Sequence, residues 1–271
     1  KILSAVFALV LLLSVIPMNV NAVDSIKSAV LPEKTLSIGA ISDIHYYPVE
    51  LTGNYCDAYM DSLKMAIGRE TYEGEGLLNS ALAAFEEHAK TNGMEYVIVS
   101  GDLSADGQYL AHVKLAERLK QFEKDTGLKV IVANGNHDIN RTDVADTFEN
   151  GYEEKARAIT PEEFLEVYAD LGYDLAYHTY KPASGKANML SYSVSDNGYR
   201  IVVMDVSKYS ADATKDGTDV GETSGAFSEE FLAWVLEEIA DAKSEGETVL
   251  GVIHHNLVHS IPIQYHPHTH Q

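Results

Sequence analysis

The stretch from Val130 to Asp138 decides the fold of this 271-residue chain, and it reads Val-Ile-Val-Ala-Asn-Gly-Asn-His-Asp. Its four apolar residues are typical of a buried strand. An amide, an imidazole and a carboxylate follow directly, so polar donors lie at the C-terminal end of that strand. A plain turn gains little from a histidine between an amide and an acid, whereas a metal site uses such donors. We therefore predict a functional site at this strand end.

Four other apolar runs predict buried strands. These runs are residues 36–41, 96–99, 201–204 and 249–253. Asp43 and His45 follow the first of them, Asp102 follows the second, and the pair His254-His255 follows the last. Each motif is weak by itself, because short Asp and His patterns are common by chance. Their shared position at the ends of strands is what indicates a site.

Between the strands, apolar residues recur at helical spacing. The periodic stretches are residues 77–85, 110–122 and 231–239, and a further helix is predicted from Pro161 to Leu171, where proline suits the first turn. Alternation of strands and helices predicts an α/β fold. Two Tyr-rich, acidic insertions, 46–76 and 141–186, interrupt it. Two interpretations of them stay open: covers that face the substrate, or solvated excursions without ligand contact.

The first residues predict a secretory signal peptide. Lys1 precedes an almost uninterrupted apolar run from residue 2 to 16, and small residues lead to Ala22, after which we expect cleavage. The apolar run is shorter than the roughly 20 residues that cross a bilayer. We therefore expect a secreted or extracytoplasmic protein without stable membrane insertion after cleavage, in which residues 23–271 form one domain.

Charge and cysteine content narrow the possible partners. The formal net charge is −21, and a surface of this sign repels the backbone of a nucleic acid, so we expect no binding of nucleic-acid polymers. Cys56 is the only cysteine, which excludes an intrachain disulfide. Stability must then come from the core or from bound metal.

The strand-end motifs stand in the order Asp43-x-His45, Gly101-Asp102, Gly135 to Asp138 and His254. This series resembles the motifs of calcineurin-like metallophosphoesterases, which include purple acid phosphatases and cyclic-nucleotide phosphodiesterases. The resemblance implies a four-layer α/β sandwich whose metal site lies at the C-terminal ends of the strands. It leaves open whether the last strands of the family are present.

The resemblance spans roughly residues 36–256 and implies a binuclear centre of divalent or mixed-valence transition metals, namely Fe, Mn or Zn. The implied ligands are Asp43 and His45 for the first metal, Asp102 for both metals, and Asn136 and His254 for the second. We prefer His254 to His255 because it comes first after the strand. The resemblance also implies that His137 faces the leaving group or the phosphate oxygens, and that Asp138 orients its ring by a hydrogen bond.

The implied activity is hydrolysis of a small phosphomonoester or phosphodiester by a hydroxide that bridges the two metals. Because two cations make the site locally positive, an acidic protein can still bind an anionic phosphate ester. No nucleophilic side chain is needed. The sequence does not decide between a monoester and a diester.

His112 lies on the predicted helix that follows Asp102. Two interpretations of it stay open. It is either an ordinary surface or packing residue of that helix, or a histidine that approaches the metal site.

The chain departs from the family at the last motif, Gly-His-x-His. Its tail, residues 265–270, reads Tyr-His-Pro-His-Thr-His and lacks the glycine. Three alternatives stay open: a truncated or altered version of a longer enzyme, a tail that folds back so that His266, His268 or His270 completes the site, or a solvated His-rich end. A second functional hypothesis follows, in which an inactive family member retains the fold as a binding or metal-binding protein.

Overall fold

A computed structural model describes residues 35–64, 71–209 and 225–257. The predicted signal peptide and the histidines of the tail lie outside these ranges, so both remain predictions. Each helix inside the ranges is too short or too polar to span a bilayer.

The described residues form nine strands and five α-helices. The strands are β1 (Ile38–Ile41), β2 (Tyr96–Ser100), β3 (Lys129–Ala133), β4 (Asp146–Thr147), β5 (Glu154–Lys155), β6 (His178–Thr179), β7 (Tyr192–Asp196), β8 (Tyr199–Met204) and β9 (Thr248–Ile253). The helices are α1 (Asp57–Leu63), α2 (Gly74–Asn92), α3 (Tyr109–Thr126), α4 (Pro161–Val167) and α5 (Glu229–Ser244). The predicted α/β class is confirmed.

Two larger sheets and one short hairpin contain the strands. The first sheet has the order β1-β2-β3 and is parallel throughout. The second has the order β6-β7-β8-β9, and its last pair, β8 and β9, is also parallel. Strands β4 and β5 form an antiparallel hairpin. Parallel neighbours end at the same edge of a sheet, so the loops after β1, β2 and β3 emerge together.

Alternating residues of the strands face different layers, because side chains of a strand point to opposite faces in turn. In β2, Val97 and Val99 pack in the core that contains residues of α2 and α3. Tyr96 and Ile98 point the other way and pack against residues of the second sheet such as Ile201. On the far side of that sheet, β8 packs against α5. The layers are therefore helix, sheet, sheet and helix, which confirms the predicted four-layer sandwich.

Local sequence explains where the helices begin and end. Thr160 caps α4 in a capping box with Glu163, and Pro161 occupies the first turn. Helix α4 ends at Val167, four residues before the predicted end. The chain forms a turn after it, in which the Leu171 N–H donates to the Tyr168 carbonyl. Helix α2 ends at Asn92, and the left-handed backbone of Gly93, the next residue, closes the last turn.

The two insertions pack against each other. The N–H of Phe148 donates to the Leu51 carbonyl at 2.7 Å, and the Tyr47 hydroxyl donates to the Asp146 carbonyl at 2.9 Å. Leu51, Tyr47, Tyr59 and Phe148 are all buried in the same core as the residues of α3. The described parts of both insertions therefore contribute side chains to the hydrophobic core.

Candidate metal centre

The loops after β1 and β2 run side by side at the edge of the first sheet. The N–H of Asp43 donates to the Gly101 carbonyl at 3.1 Å, and the N–H of His45 donates to the Asp102 carbonyl at 2.9 Å. Asp43, His45 and Asp102 all have a left-handed backbone, with φ of 57°, 45° and 49°. Such conformations cost energy in residues other than glycine and are concentrated at functional sites.

This backbone path brings three metal-binding side chains together. Asp43, His45 and Asp102 each offer one donor atom, and these atoms lie within 4.8 Å of one another. The distance from His45 Nε2 to Asp102 Oδ2 is 3.6 Å. Two carboxylates and one imidazole in this space fit a transition metal better than calcium, which prefers oxygen ligands alone.

His254 approaches Asp102 from the end of β9. Its Nδ1–H donates to the Ser100 carbonyl at 3.0 Å, so Nε2 is the nitrogen that faces Asp102 Oδ2, at 3.4 Å. A histidine ligand is commonly oriented in this way by a carbonyl at its other nitrogen. Burial opposes protonation of this ring, but Asp102 outweighs it and raises the pKa of His254 to about 9.

The neighbouring His255 differs from His254. Burial lowers the pKa of His255 to about 4, and the nearby His254 adds to this effect. Within the described part of the chain, neither ring nitrogen of His255 has a hydrogen-bond partner. The structure places His254, not His255, against Asp102, in the position that the sequence favoured. Its role as a ligand stays a prediction.

Asp102 lies at the centre of the cluster. Burial favours its neutral form, but hydrogen bonding and charge from His254, together with the backbone N–H of His137, lower the pKa of Asp102 to about 2. The His137 N–H donates to Oδ1 at 3.0 Å. A Cβ atom at Gly135 would lie 2.1 Å from the same oxygen. Only glycine lets the loop after β3 pass so close to this carboxylate.

That loop places Asn136 and His137 next to Asp102. Asn136 lies between Gly135 and His137, and both of these neighbours approach Asp102 through their backbone. The His137 ring extends away from there, and its Nδ1–H donates to Asp106 Oδ1 at 2.8 Å. The prediction that Asp138 orients this ring is therefore corrected, because Asp106 holds Nδ1.

Asp138 instead points into the protein, where it is fully buried. Its carboxylate accepts hydrogen bonds from the backbone N–H groups of Leu103, Ser104 and Gly135, at 2.7 to 3.1 Å. Burial and the negative charge of Asp102 raise the pKa of Asp138 to about 7, although these N–H groups oppose the shift. Asp138 thus ties the loop after β2 to the loop after β3.

Comparison with known proteins identifies the family of this chain. The family model described as calcineurin-like phosphoesterase matches residues 36–261, which is most of the chain. This chain belongs to the calcineurin-like phosphoesterase family. A dimetal phosphatase from Danio rerio, known from its crystal structure, is similar at 17% sequence identity and a TM-score of 0.49. The match covers 81% of this chain and 69% of the Danio rerio chain. No curated protein gives a significant match.

His112 is fully buried in this calcineurin-like phosphoesterase. Its Nε2–H donates to the Asp138 carbonyl at 3.1 Å, so the neutral ring accepts a hydrogen bond at Nδ1 from the Tyr168 hydroxyl at 2.9 Å. Burial lowers the pKa of His112 to about 3. Of the two interpretations left open by the sequence, these contacts favour packing, in support of the loop that carries Asp138.

Asp106 is the site residue that sequence reasoning missed. It lies four residues after Asp102 on the same loop, which leads to α3. A second carboxylate on a loop that already carries a candidate ligand was the available signal. Which of Asp106 and Asp138 would meet His137 depends on the path of two loops, and that path is visible only in the structure.

Proposed function

We propose that this calcineurin-like phosphoesterase is a secreted enzyme that uses two transition metals to hydrolyse a phosphomonoester or phosphodiester of a small alcohol. The observation that carries the proposal is the convergence of Asp43, His45 and His254 on the buried carboxylate of Asp102. Family membership supports metal-dependent phosphoester hydrolysis. The apolar N-terminal segment supports export.

The residues fit the metals that the family implies. Asp43 and His45 would hold the first metal, Asp102 would be shared, and Asn136 and His254 would hold the second. Iron, manganese and zinc all accept this mixture of carboxylate, amide and imidazole donors. When bound, the metals neutralise phosphate oxygens and lower the pKa of the water molecule that attacks phosphorus.

The side chains around this centre perform the remaining steps. His137 donates a proton from Nε2 to the departing alcohol, and Asp106 orients the ring for this step by accepting the hydrogen bond from Nδ1–H. Asp106 stabilises the protonated ring through the same hydrogen bond. Asp138 keeps the two loops in place without contacting the substrate, so it is a positioning residue.

Metal content and turnover of a protein that comprises residues 23–271 test the proposal. We expect about two metals per chain by elemental analysis. We also expect metal-dependent hydrolysis of phenyl phosphate or of its diester, diphenyl phosphate. Asp102→Ala and His137→Ala should abolish this hydrolysis. Asp170 is exposed, so the variant Asp170→Ala serves as a matched control and should retain hydrolysis of both esters.

Full activity in Asp102→Ala or in His137→Ala would contradict the assignment. Bound metal without turnover of either ester would support the alternative of an inactive family member that binds metal. Separate assays of the monoester and the diester decide which class of substrate the enzyme prefers.

A further inference from the structure

A cavity of about 220 Å³ opens where the two insertions meet. The residues that line it include the aromatic residues Tyr47, Tyr59 and Phe148 and the acidic residues Asp106 and Glu153. A cavity of this size suits a small group rather than a polymer. None of the described residues that line it is a lysine or an arginine.

The aromatic wall is a continuous set of ring contacts. Tyr47 and Tyr59 stack in parallel with their centroids 5.8 Å apart, and Phe148 meets Tyr59 edge to face at 5.6 Å. Next to Tyr59 lies the exposed ring of Tyr55, whose backbone is left-handed at φ 59°. A bulky residue seldom adopts this conformation, and such strain is concentrated at ligand sites.

The charges of the wall are unsuited to a phosphate group. Asp106 and Glu153 line the cavity together with Asp146, whose carboxylate is paired with Lys155 at 2.5 Å. The described part of the lining contributes carboxylates and no lysine or arginine, and such a wall repels an anion and attracts a cation. The faces of aromatic rings attract a cation as well.

Asp106 connects this cavity to the proposed catalytic histidine. Its Oδ1 accepts the hydrogen bond from His137 Nδ1, and the same residue forms part of the cavity wall. If His137 protonates the leaving oxygen, the carbon skeleton of the leaving alcohol lies next to Asp106. The cavity is the adjoining space into which that skeleton extends.

We infer that this cavity binds the alcohol portion of the substrate, and that this alcohol carries a positive charge, as an amine or a quaternary ammonium group. The inference rests on the proposed phosphoesterase function. It goes further by naming the substrate class, which is phosphate esters of cationic alcohols. Tyr59, Phe148 and Glu153 would contact the cation.

A matched pair of substrates tests the charge requirement. Choline phosphate and 3,3-dimethylbutyl phosphate have the same shape, and only the first carries a cation. We expect kcat/KM to favour choline phosphate by about tenfold, the effect of one desolvated cation–π contact with a carboxylate nearby. Glycerophosphocholine and its uncharged analogue extend the comparison to a diester, and a preference for either charged ester supports the inference.

Removing the acidic groups should remove the preference. In the double variant Glu153→Gln/Asp146→Asn we expect the ratio of kcat/KM between choline phosphate and its uncharged analogue to fall towards one. Glu166→Gln removes one negative charge from an exposed position on α4 and should leave the ratio unchanged. Equal kcat/KM for the two esters in the wild type would overturn the inference.

A binding measurement separates this inference from the proposed function. We expect saturation-transfer NMR to detect binding of tetramethylammonium, but not of uncharged tert-butanol, to the protein that comprises residues 23–271. The double variant should lose this signal. Binding of tetramethylammonium without turnover of any ester would contradict the phosphoesterase proposal and keep the cation site. Turnover of an ester without binding of tetramethylammonium would contradict the cation-binding cavity and support the phosphoesterase activity.

Discussion

Two clusters of buried charge lie in different parts of the sandwich, and they are built in opposite ways. The first surrounds Asp102 beyond the C-terminal ends of the strands. The second surrounds Arg200 near the start of β8. Arg200 is fully buried and contacts three carboxylates at 2.8 to 3.0 Å, those of Glu238, Asp241 and Glu247. The Arg200 cluster thus contains its own cation.

The Asp102 cluster has carboxylates and imidazoles at its centre, and it rests on strained backbone. Asp43, His45 and Asp102 are left-handed, whereas Arg200 lies in a regular strand and Glu238 in a regular helix. A structural ion cluster compensates its charges internally and needs no strain. A cluster whose metal-donor side chains are brought together at the cost of backbone strain is organised to bind a cation that the protein does not itself supply. We expect mutations to separate these two roles.

The largest effect on stability is expected from Arg200→Met. This change removes the guanidinium from the buried carboxylate of Glu238, which keeps its hydrogen bond with His178 Nδ1. Loss of one partner of a buried ion pair costs about 3–5 kcal/mol. Urea unfolding should show this loss, while the specific activity of the folded fraction stays unchanged. The double variant Arg200→Met/Glu238→Leu should recover part of the stability. An unchanged unfolding midpoint would show that the Arg200 cluster is not structural.

The next effect concerns the geometry of the Asp102 cluster. A methyl group at Gly135 would collide with Asp102, so Gly135→Ala should displace the carboxylate. Because a displacement of about 1 Å can cost 100-fold in rate, we expect kcat/KM to fall by at least about 100-fold, with reduced metal content. Gly76→Ala is the matched control, since a Cβ in that part of α2 meets no atom within 4 Å. Normal metal content and activity in Gly135→Ala would contradict this role of the glycine.

A smaller effect should follow from Asp106→Asn, which tests whether the cluster extends to His137. The variant keeps the shape but loses the charge that stabilises protonated His137, so we expect kcat for phenyl phosphate to fall about 10- to 100-fold. Metal content should be unchanged. The loss should be smaller for p-nitrophenyl phosphate, whose leaving group needs little protonation.

Asp143→Asn removes the same charge from an exposed position of the second insertion and should have little effect on either ester. A merely structural role of Asp106 predicts equal losses for the two esters. Such a result would remove Asp106 from the mechanism.

The sequence predicted those parts of the sandwich that are apolar on both faces. The run 130–133 is buried between helices and the second sheet, so its continuous apolar pattern identified β3 within one residue. Strand β7 was missed because it reads Tyr-Ser-Val-Ser-Asp and carries only two apolar residues, Tyr192 and Val194. Both of them face the layer between the sheets. A short strand with this composition is too weak a signal without its neighbours.

The site was predictable to the extent that its residues follow strands. Asp102 and His254 come together because the C-terminal ends of β2 in the first sheet and of β9 in the second sheet lie close to each other, which the motif order implied. The partner of His137 was not predictable. Asp138 is its neighbour in sequence, but the turn at Gly135 directs the Asp138 carboxylate inward to backbone N–H groups. Asp106 reaches the ring through tertiary structure alone.

The smallest expected effect concerns His112. Like Arg200 it is buried and ionisable, and like the residues of the Asp102 cluster it lies near the candidate site, next to Asp138. Burial lowers the pKa of His112 to about 3, whereas an unfolded histidine has a pKa of about 6.5. Above pH 6.5 the ring is neutral in both states, and its contribution to stability is fully present. As the pH falls below 6.5, the unfolded state binds a proton at His112 that the folded state does not bind, so the free energy of unfolding decreases.

We therefore expect the free energy of unfolding of the wild type, relative to His112→Gln, to fall by about 1.4 kcal/mol per pH unit below pH 6.5. The difference between the two proteins isolates His112 from the other titrating groups, and urea unfolding at pH 8, 6.5 and 5.5 measures it. Because the contacts of His112 are those of a packing residue, folded His112→Gln should retain most of its turnover. A difference that does not vary with pH would contradict a neutral buried ring. A large loss of turnover with normal stability would place His112 in the functional cluster instead.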